Sequence, residues 1–119
     1  AAQYGKQVVV LDRPNPAGRP VEGLTLRTGW ESFVGAGPLP MRHGLTMAEM
    51  AKIFVHVMDL DVDLKIVPMR GWTRKMHWNE TGLDWSIPSP NMPIPETAFV
   101  YPGQVLWEGT NLSEEEAHA

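Results

Sequence analysis

Gln7 to Asp12, Q-V-V-V-L-D, is the stretch that decides the fold. Its consecutive valines are β-branched and apolar on both sides of a pleat, so a strand built from them needs cover on both faces. That is the pattern of a parallel sheet, and the one carboxylate falls at the carboxyl end, where open parallel sheets bind their ligands. A parallel partner requires a crossover, and the chain supplies one. Thr46 and Glu49 make the capping pattern T-x-x-E, and Met47, Met50, Ala51, Phe54 and Met58 follow at i, i+3, i+4 spacing. This predicts a helix from about Met47 to Met58. Asp61 to Pro68, D-V-D-L-K-I-V-P, alternates polar and apolar and predicts the second strand. Together they make a right-handed βαβ unit with a long loop inserted before the helix.

Working outward, Ala1 to Lys6 reads as the last turn of a helix with Gly5 as its left-handed stop. The chain thus reads as starting inside an element, as a fragment of a longer protein would. Arg13 to Pro20 and Gly35 to Gly44 are loops dense in Pro and Gly. Val21 to Val34 has no clear period, apart from a short helix expected near Trp30 to Val34. Met69 to Pro95 is mostly irregular, with a turn near Thr73 to His77. Within it, Trp78 to Pro93 carries two tryptophans followed by Pro88, Pro90 and Pro93, which exclude a helix interior or central strand. Glu96 to Tyr101 predicts a helical turn begun by Pro95 and ended by Pro102-Gly103. Gln104 to Trp107 predicts a short third strand. The fold class is therefore α/β: a partial parallel sheet, βαβ plus one further strand, with long Pro/Gly/Trp-rich loops. Residues 1–113 form this domain. Residues 114–119, E-E-E-A-H-A, have no apolar face and read as a disordered polar tail.

Composition narrows the function. Hydrophobic residues are 43% and charged residues 20% of the chain, which describes a globular protein. A net charge of −4 with no basic stripe excludes a nucleic-acid partner. No apolar run approaches the ~20 residues that span a bilayer. The absence of cysteine excludes disulfides and thiolate metal sites. His43, His56, His77 and His118 lack metal-ligand spacing, and no Gly-rich nucleotide loop or G-x-S-x-G elbow is present. Neither a metal nor another cofactor is expected.

The polar residues of the long loops fall into four groups: Asp12, Arg13, Asn15 and Glu22; Arg42 and His43; Asn79, Glu80 and Asn91; Glu108 and Asn111. Several follow strand ends, where they could converge on one cleft. Aromatic faces cover the apolar side of a sugar ring while amides and carboxylates take its hydroxyls. Glycoside hydrolysis typically uses two carboxyl groups, and Glu22, Glu80 and Glu108 are available. Each glutamate also has an ordinary reading as a solvated residue or a backbone acceptor. The tryptophans, taken singly, read as packing residues.

Seven runs occur in order: V-V-L-D-R-P-N-P, V-E-G, M-R-H-G-L-T, I-V-P-M-R-G-W, W-N-E-T-G-L, S-P-N-M-P and Y-P-G-x-x-L-x-E-G-T-N-L-S. In these the chain resembles the exo-β-N-acetylmuramidases of the NamZ type, from Ala1 to Ser113. The resemblance implies a Rossmann-like subdomain joined to a second one, with the active site between them. It implies release of N-acetylmuramic acid from the non-reducing ends of peptidoglycan fragments, outside the cytoplasm. Asp12, Arg13, Asn15, Arg42, His43, Asn79, Asn91, Glu108 and Asn111 would then bind substrate, with Glu22 and Glu80 as catalytic candidates. Arg42 or Arg13 would pair with the lactyl carboxylate of muramic acid. Family members are longer at both ends, so the chain matches an internal fragment. The competing expectation is an inactive sugar-binding or degenerate fragment lacking a complete active site, its sheet completed by self-association or a partner chain.

Overall fold

The computed structural model describes residues 1–111. Strand β1 (Val8–Leu11) pairs in parallel with a strand at Leu64–Val67, in the register Val8↔Leu64 to Leu11↔Val67. Bonds from Val8 N to the Asp63 carbonyl (2.8 Å) and from Asp12 N to the Val67 carbonyl (3.0 Å) extend the ladder at both ends. The crossover helix α1 (Met47–Val57) packs against β1, as the apolar stripe predicts. Its capping box is complete: Thr46 Oγ1 accepts from Glu49 N, and Glu49 Oε2 accepts from Thr46 N.

Val8, Val10, Leu64 and Ile66 are half-buried, whereas Val9, Leu11 and Val67 on the opposite face are exposed. The two-faced cover expected of β1 is therefore half provided by the described residues. Ala48 and Ala98, with Pro14 and Gly37, are the buried apolar residues among those described, and no large apolar side chain is fully buried. The Cα radius of gyration, 16.0 Å, exceeds the roughly 13 Å of a compact chain of this size.

Between β1 and α1 the structure departs from expectation. β2 (Glu22–Thr25) and β3 (Pro40–Arg42) form an antiparallel pair inside segments expected to be irregular. The pairing Glu22↔Arg42 and Thr25↔Pro40 is interrupted by a bulge. Gly23 there has φ +92°, and a Cβ would meet Met41 Cβ at 3.0 Å, so close approach requires glycine. Both strands are short and β2 is exposed throughout, so neither carries the alternation that betrays a strand. No helix forms near Trp30; Ser32 and Gly35 make an isolated bridge instead. The second strand of the parallel pair, β4 (Leu64–Val67), lies inside the expected Asp61–Pro68.

The chain's start is a single 3-10 turn, Ala2–Tyr4, closed by Gly5 at φ +55°, in keeping with the left-handed stop. The C-terminal expectation needs correction. Helix α2 (Pro95–Gln104) begins at Pro95 as predicted but runs through Pro102-Gly103. A 3-10 segment, Val105–Gly109, follows where a third strand was expected. Gln104 to Trp107 pair with no strand among the described residues, and continuing helical backbone satisfies their groups locally. Residues 114–119, expected to be a polar tail, lie outside the described residues.

Candidate functional site

Parallel register fixes the geometry of the site. Because Leu11 faces Val67, β1 and β4 finish at the same sheet edge, and the chain leaves both toward one side. A cavity of about 560 Å³ lies there, lined by Asp12 and Arg13 after β1 and by Arg70 and Trp72 after β4. Trp78 and Asp84, from the long Pro/Trp-rich loop, complete its wall. The volume suits a small ligand, and the place is where an open parallel sheet binds one.

Asp12 is anchored. Its Oδ1 accepts from Ala48 N at 2.9 Å and from Arg13 N at 3.0 Å, while the Arg13 carbonyl accepts from Met47 N at 3.3 Å. With Thr46 taking Glu49 N, the first-turn donors of α1 are all occupied. The carboxylate also sits favourably at the positive end of the helix. Arg13 and Arg70 are exposed, and neither guanidinium has a hydrogen-bond or ion-pair partner among the described residues.

The tryptophans form a frame. Trp78 and Trp85 meet edge to face with ring centroids 5.4 Å apart, and Trp85 Nε1 donates to the Met92 carbonyl at 3.0 Å. These contacts brace the loop beside the cavity. The indole N–H groups of Trp72 and Trp78 are buried without a partner among the described residues. Arg74 lies 5.7 Å from the Trp72 ring centroid, donates to the Gly44 carbonyl at 3.1 Å, and pairs with Glu49. That pairing holds the Glu49 carboxyl below the usual glutamate range, against the opposing effect of its partial burial.

Arg42 and Glu22 lie elsewhere, facing each other across β2 and β3. Arg42 is 6% exposed; its Nε donates to Glu22 Oε1 at 2.8 Å, its Nη1 donates to the Ala17 carbonyl, and its guanidinium lies 4.4 Å from the Phe99 ring centroid. Asn15 Oδ1 accepts from Ala17 N at 3.0 Å, an Asx turn that shapes this loop. His43 Nδ1 accepts from Leu45 N at 3.1 Å, and its Nε2 is 3.4 Å from Asn15 Nδ2. Partial burial lowers the His43 pKa, favouring the neutral ring that can accept at Nδ1. His43 also borders a second, apolar hollow of about 730 Å³ with Trp30, Phe33 and Phe54.

The remaining candidates are dispersed. Glu80 accepts from His77 N at 2.7 Å, closing the short 3-10 turn Trp78–Glu80, and does not line the cavity. Asn79 donates to Glu96 at the start of α2. Asn91 is exposed, its N donates to Ser89 Oγ at 3.4 Å, and it borders a small hollow against α2. Glu108 has its backbone in the Val105–Gly109 segment, and its side chain lies outside the described structure. Asn111 is exposed beyond that segment. Of the expected residues whose side chains the structure describes, Asp12 and Arg13 alone reach the cavity at the strand ends. Arg70, Trp72 and Asp84 were missed. Arg70 and Trp72 carry the same signal as Arg13, a residue just past a parallel strand, whereas Asp84 has no local signal.

Among the described residues no cluster of three or more His, Asp and Glu is placed to hold a metal ion. No helix among them is long and apolar enough to cross a membrane.

Known proteins match along nearly the whole chain. The family model described as exo-β-N-acetylmuramidase NamZ, N-terminal, matches residues 1–96. Peptidoglycan β-N-acetylmuramidase NamZ of Bacillus subtilis (strain 168) is 47% identical over 115 residues, which are 96% of this chain and 28% of that protein. Crystal structures of two DUF1343 family proteins from Bacteroides fragilis NCTC 9343 share the fold. One superposes with a TM-score of 0.79 at 40% identity, covering 87% of this chain and 28% of its own. The other gives 0.78 at 33% identity, covering 92% and 31%. The chain thus spans under a third of the length of each of these relatives.

Proposed function

The chain belongs to the exo-β-N-acetylmuramidase NamZ N-terminal family, and on that premise we propose that it forms one wall of a glycoside-hydrolase site for muramyl sugars of peptidoglycan. The observation that carries this reading is the cavity at the carboxyl ends of β1 and β4. It combines what a sugar requires: indole surfaces for the ring's apolar side, Asp84 as a hydroxyl acceptor, and cationic groups for a charged substituent. The substrate end is the non-reducing N-acetylmuramic acid, and the place of action is outside the cytoplasm, where peptidoglycan is.

A second reading, sugar binding without turnover, is favoured by the placement of the two glutamates. Glu22 is held by Arg42, and Glu80 by the His77 backbone, both away from the cavity. The carboxylates that remain at the cavity are Asp12 and Asp84. Glycoside hydrolysis typically requires a proton donor opposite a second carboxylate, and Asp12 is already committed to α1. The exposed face of Val9, Leu11 and Val67 gives a further strand, helix layer or second copy a surface on which to complete the sheet.

Calorimetry with N-acetylmuramic acid, beside hydrolysis of a chromogenic N-acetylmuramide, tests both readings. Release of chromophore by this chain supports the hydrolase wall as sufficient. Binding without release supports the sugar-binding module. Absence of binding refutes both.

A further inference from the structure

The arginines at the two strand ends have a consequence that the sugar reading alone does not contain. Arg13 lies two residues past β1 and Arg70 three residues past β4, and the parallel register sends both into the same cavity. Neither guanidinium has a hydrogen-bond or ion-pair partner among the described residues. This contrasts with Arg42 and Arg74, which are committed to Glu22 and Glu49, to backbone carbonyls and to aromatic rings. The chain therefore separates structural from unpaired arginines, and an unpaired pair at a concave site is suited to an anion.

The surroundings narrow which anion. Trp72 and Trp78 line the cavity, and their buried indole N–H groups have no partner among the described residues. Asp12, whose Oδ1 is occupied by two backbone donors, and Asp84 add acceptors to the same wall. A small inorganic anion would use the arginines alone and leave the acceptors and the tryptophans without a role. A sugar acid uses all of them, with its carboxylate on the guanidinium side, its hydroxyls on Asp84, and its ring against indole.

We infer that Arg13 and Arg70 act together as the carboxylate-reading pair of this cavity, selecting sugars with an acidic side group, such as the lactyl ether of muramic acid, over their neutral counterparts. The inference rests on the sugar-site reading above. It adds Arg70 as a specificity residue and excludes Arg42 from that role, because the Arg42 guanidinium is buried against Glu22, Ala17 and Phe99.

The test compares three ligands by calorimetry at low ionic strength: N-acetylmuramic acid, its lactyl carboxamide, and N-acetylglucosamine. The proteins are the wild-type chain, Arg13→Ala, Arg70→Ala, and the charge-retaining Arg13→Lys and Arg70→Lys. The wild type is expected to bind the acid roughly tenfold or more tighter than the carboxamide, the scale of a charge-assisted fork. Each alanine variant should lose most of that preference while its carboxamide affinity stays within about twofold, and each lysine variant should fall between, since it keeps charge without the fork. Both arginines are exposed and unpaired, so unchanged thermal unfolding is expected of every variant. Equal binding of acid and carboxamide by the wild type, or equal weakening of all ligands by Arg70→Ala, overturns the pair and leaves the sugar site standing. Failure of all three ligands to bind the wild type overturns the sugar site and the pair with it.

Discussion

Arg42 Nε donates to Glu22 Oε1 at 2.8 Å, joining β3 to β2 through an ion pair whose cation is buried and whose anion is half in water. The asymmetry matters because the two partners differ in what they leave behind when removed. Arg42 also holds the Ala17 carbonyl and the Phe99 ring, so it ties the loop after β1 to α2.

Arg42→Ala should therefore lower stability by about 2–3 kcal/mol, toward the small end of what breaking a buried pair costs, because Glu22 can rehydrate. Glu22→Gln should cost under about 1 kcal/mol, since its side chain is 52% exposed and the amide oxygen still accepts. Urea unfolding of the two variants checks the ordering. Equal losses would show that the pair, and not the wider set of Arg42 contacts, carries the effect.

Asp12 is expected to act on stability through α1. Asp12→Ala removes the acceptor for Ala48 N and should cost about 1 kcal/mol, the usual scale of a lost helix N-terminal acceptor. Asp12→Asn keeps an acceptor and should cost only a few tenths. Thermal unfolding separates them, and an asparagine variant as unstable as the alanine one would contradict the backbone-acceptor role.

Acidification should destabilise the fold in two windows. Burial lowers the folded-state pKa of His43, so between the folded and unfolded values the unfolded chain binds more protons and stability rises with pH. The His43 contribution is fully present above the ordinary histidine value and is lost as pH falls through the lowered one. Protonation also removes the Nδ1 lone pair that accepts from Leu45 N. The Glu49 carboxyl is depressed chiefly by its hydrogen bond from Arg74, so its contribution is present above the ordinary glutamate value and lost at lower pH still. Denaturant midpoints measured across both windows should show the upper slope flattened in His43→Gln and the lower one flattened in Arg74→Ala. Unchanged slopes in these variants would remove the assignments.

The parallel pair was legible because its signals are local and strong. Three valines before Asp12, a capping box at Thr46 and Glu49, and an apolar stripe from Met47 each follow from side-chain shape and period. Even the left-handed Gly5 and the start of α2 at Pro95 could be read that way. The β2–β3 pair could not, because strands of three or four residues with one entirely exposed have no period to detect. The expected strand at Gln104 to Trp107 failed for the complementary reason. Strand propensity means little without a neighbour to pair with, and the helix simply continued.

For the site, the sequence by itself determined the inventory: which arginines, carboxylates and tryptophans stand in loops, and that a parallel sheet's carboxyl end would gather some of them. Only the tertiary structure decided the assignments. It placed Arg42 against Glu22, Asp12 on the first turn of α1, and Glu80 on a short turn, leaving Arg13 and Arg70 at the cavity with no partner among the described residues. The physical reason is that a side chain's role depends on which distant backbone groups and charges satisfy it. Those partners, 20 residues away for Arg42 and Glu22 and 36 for Asp12 and Ala48, are set by chain topology and not by neighbouring sequence.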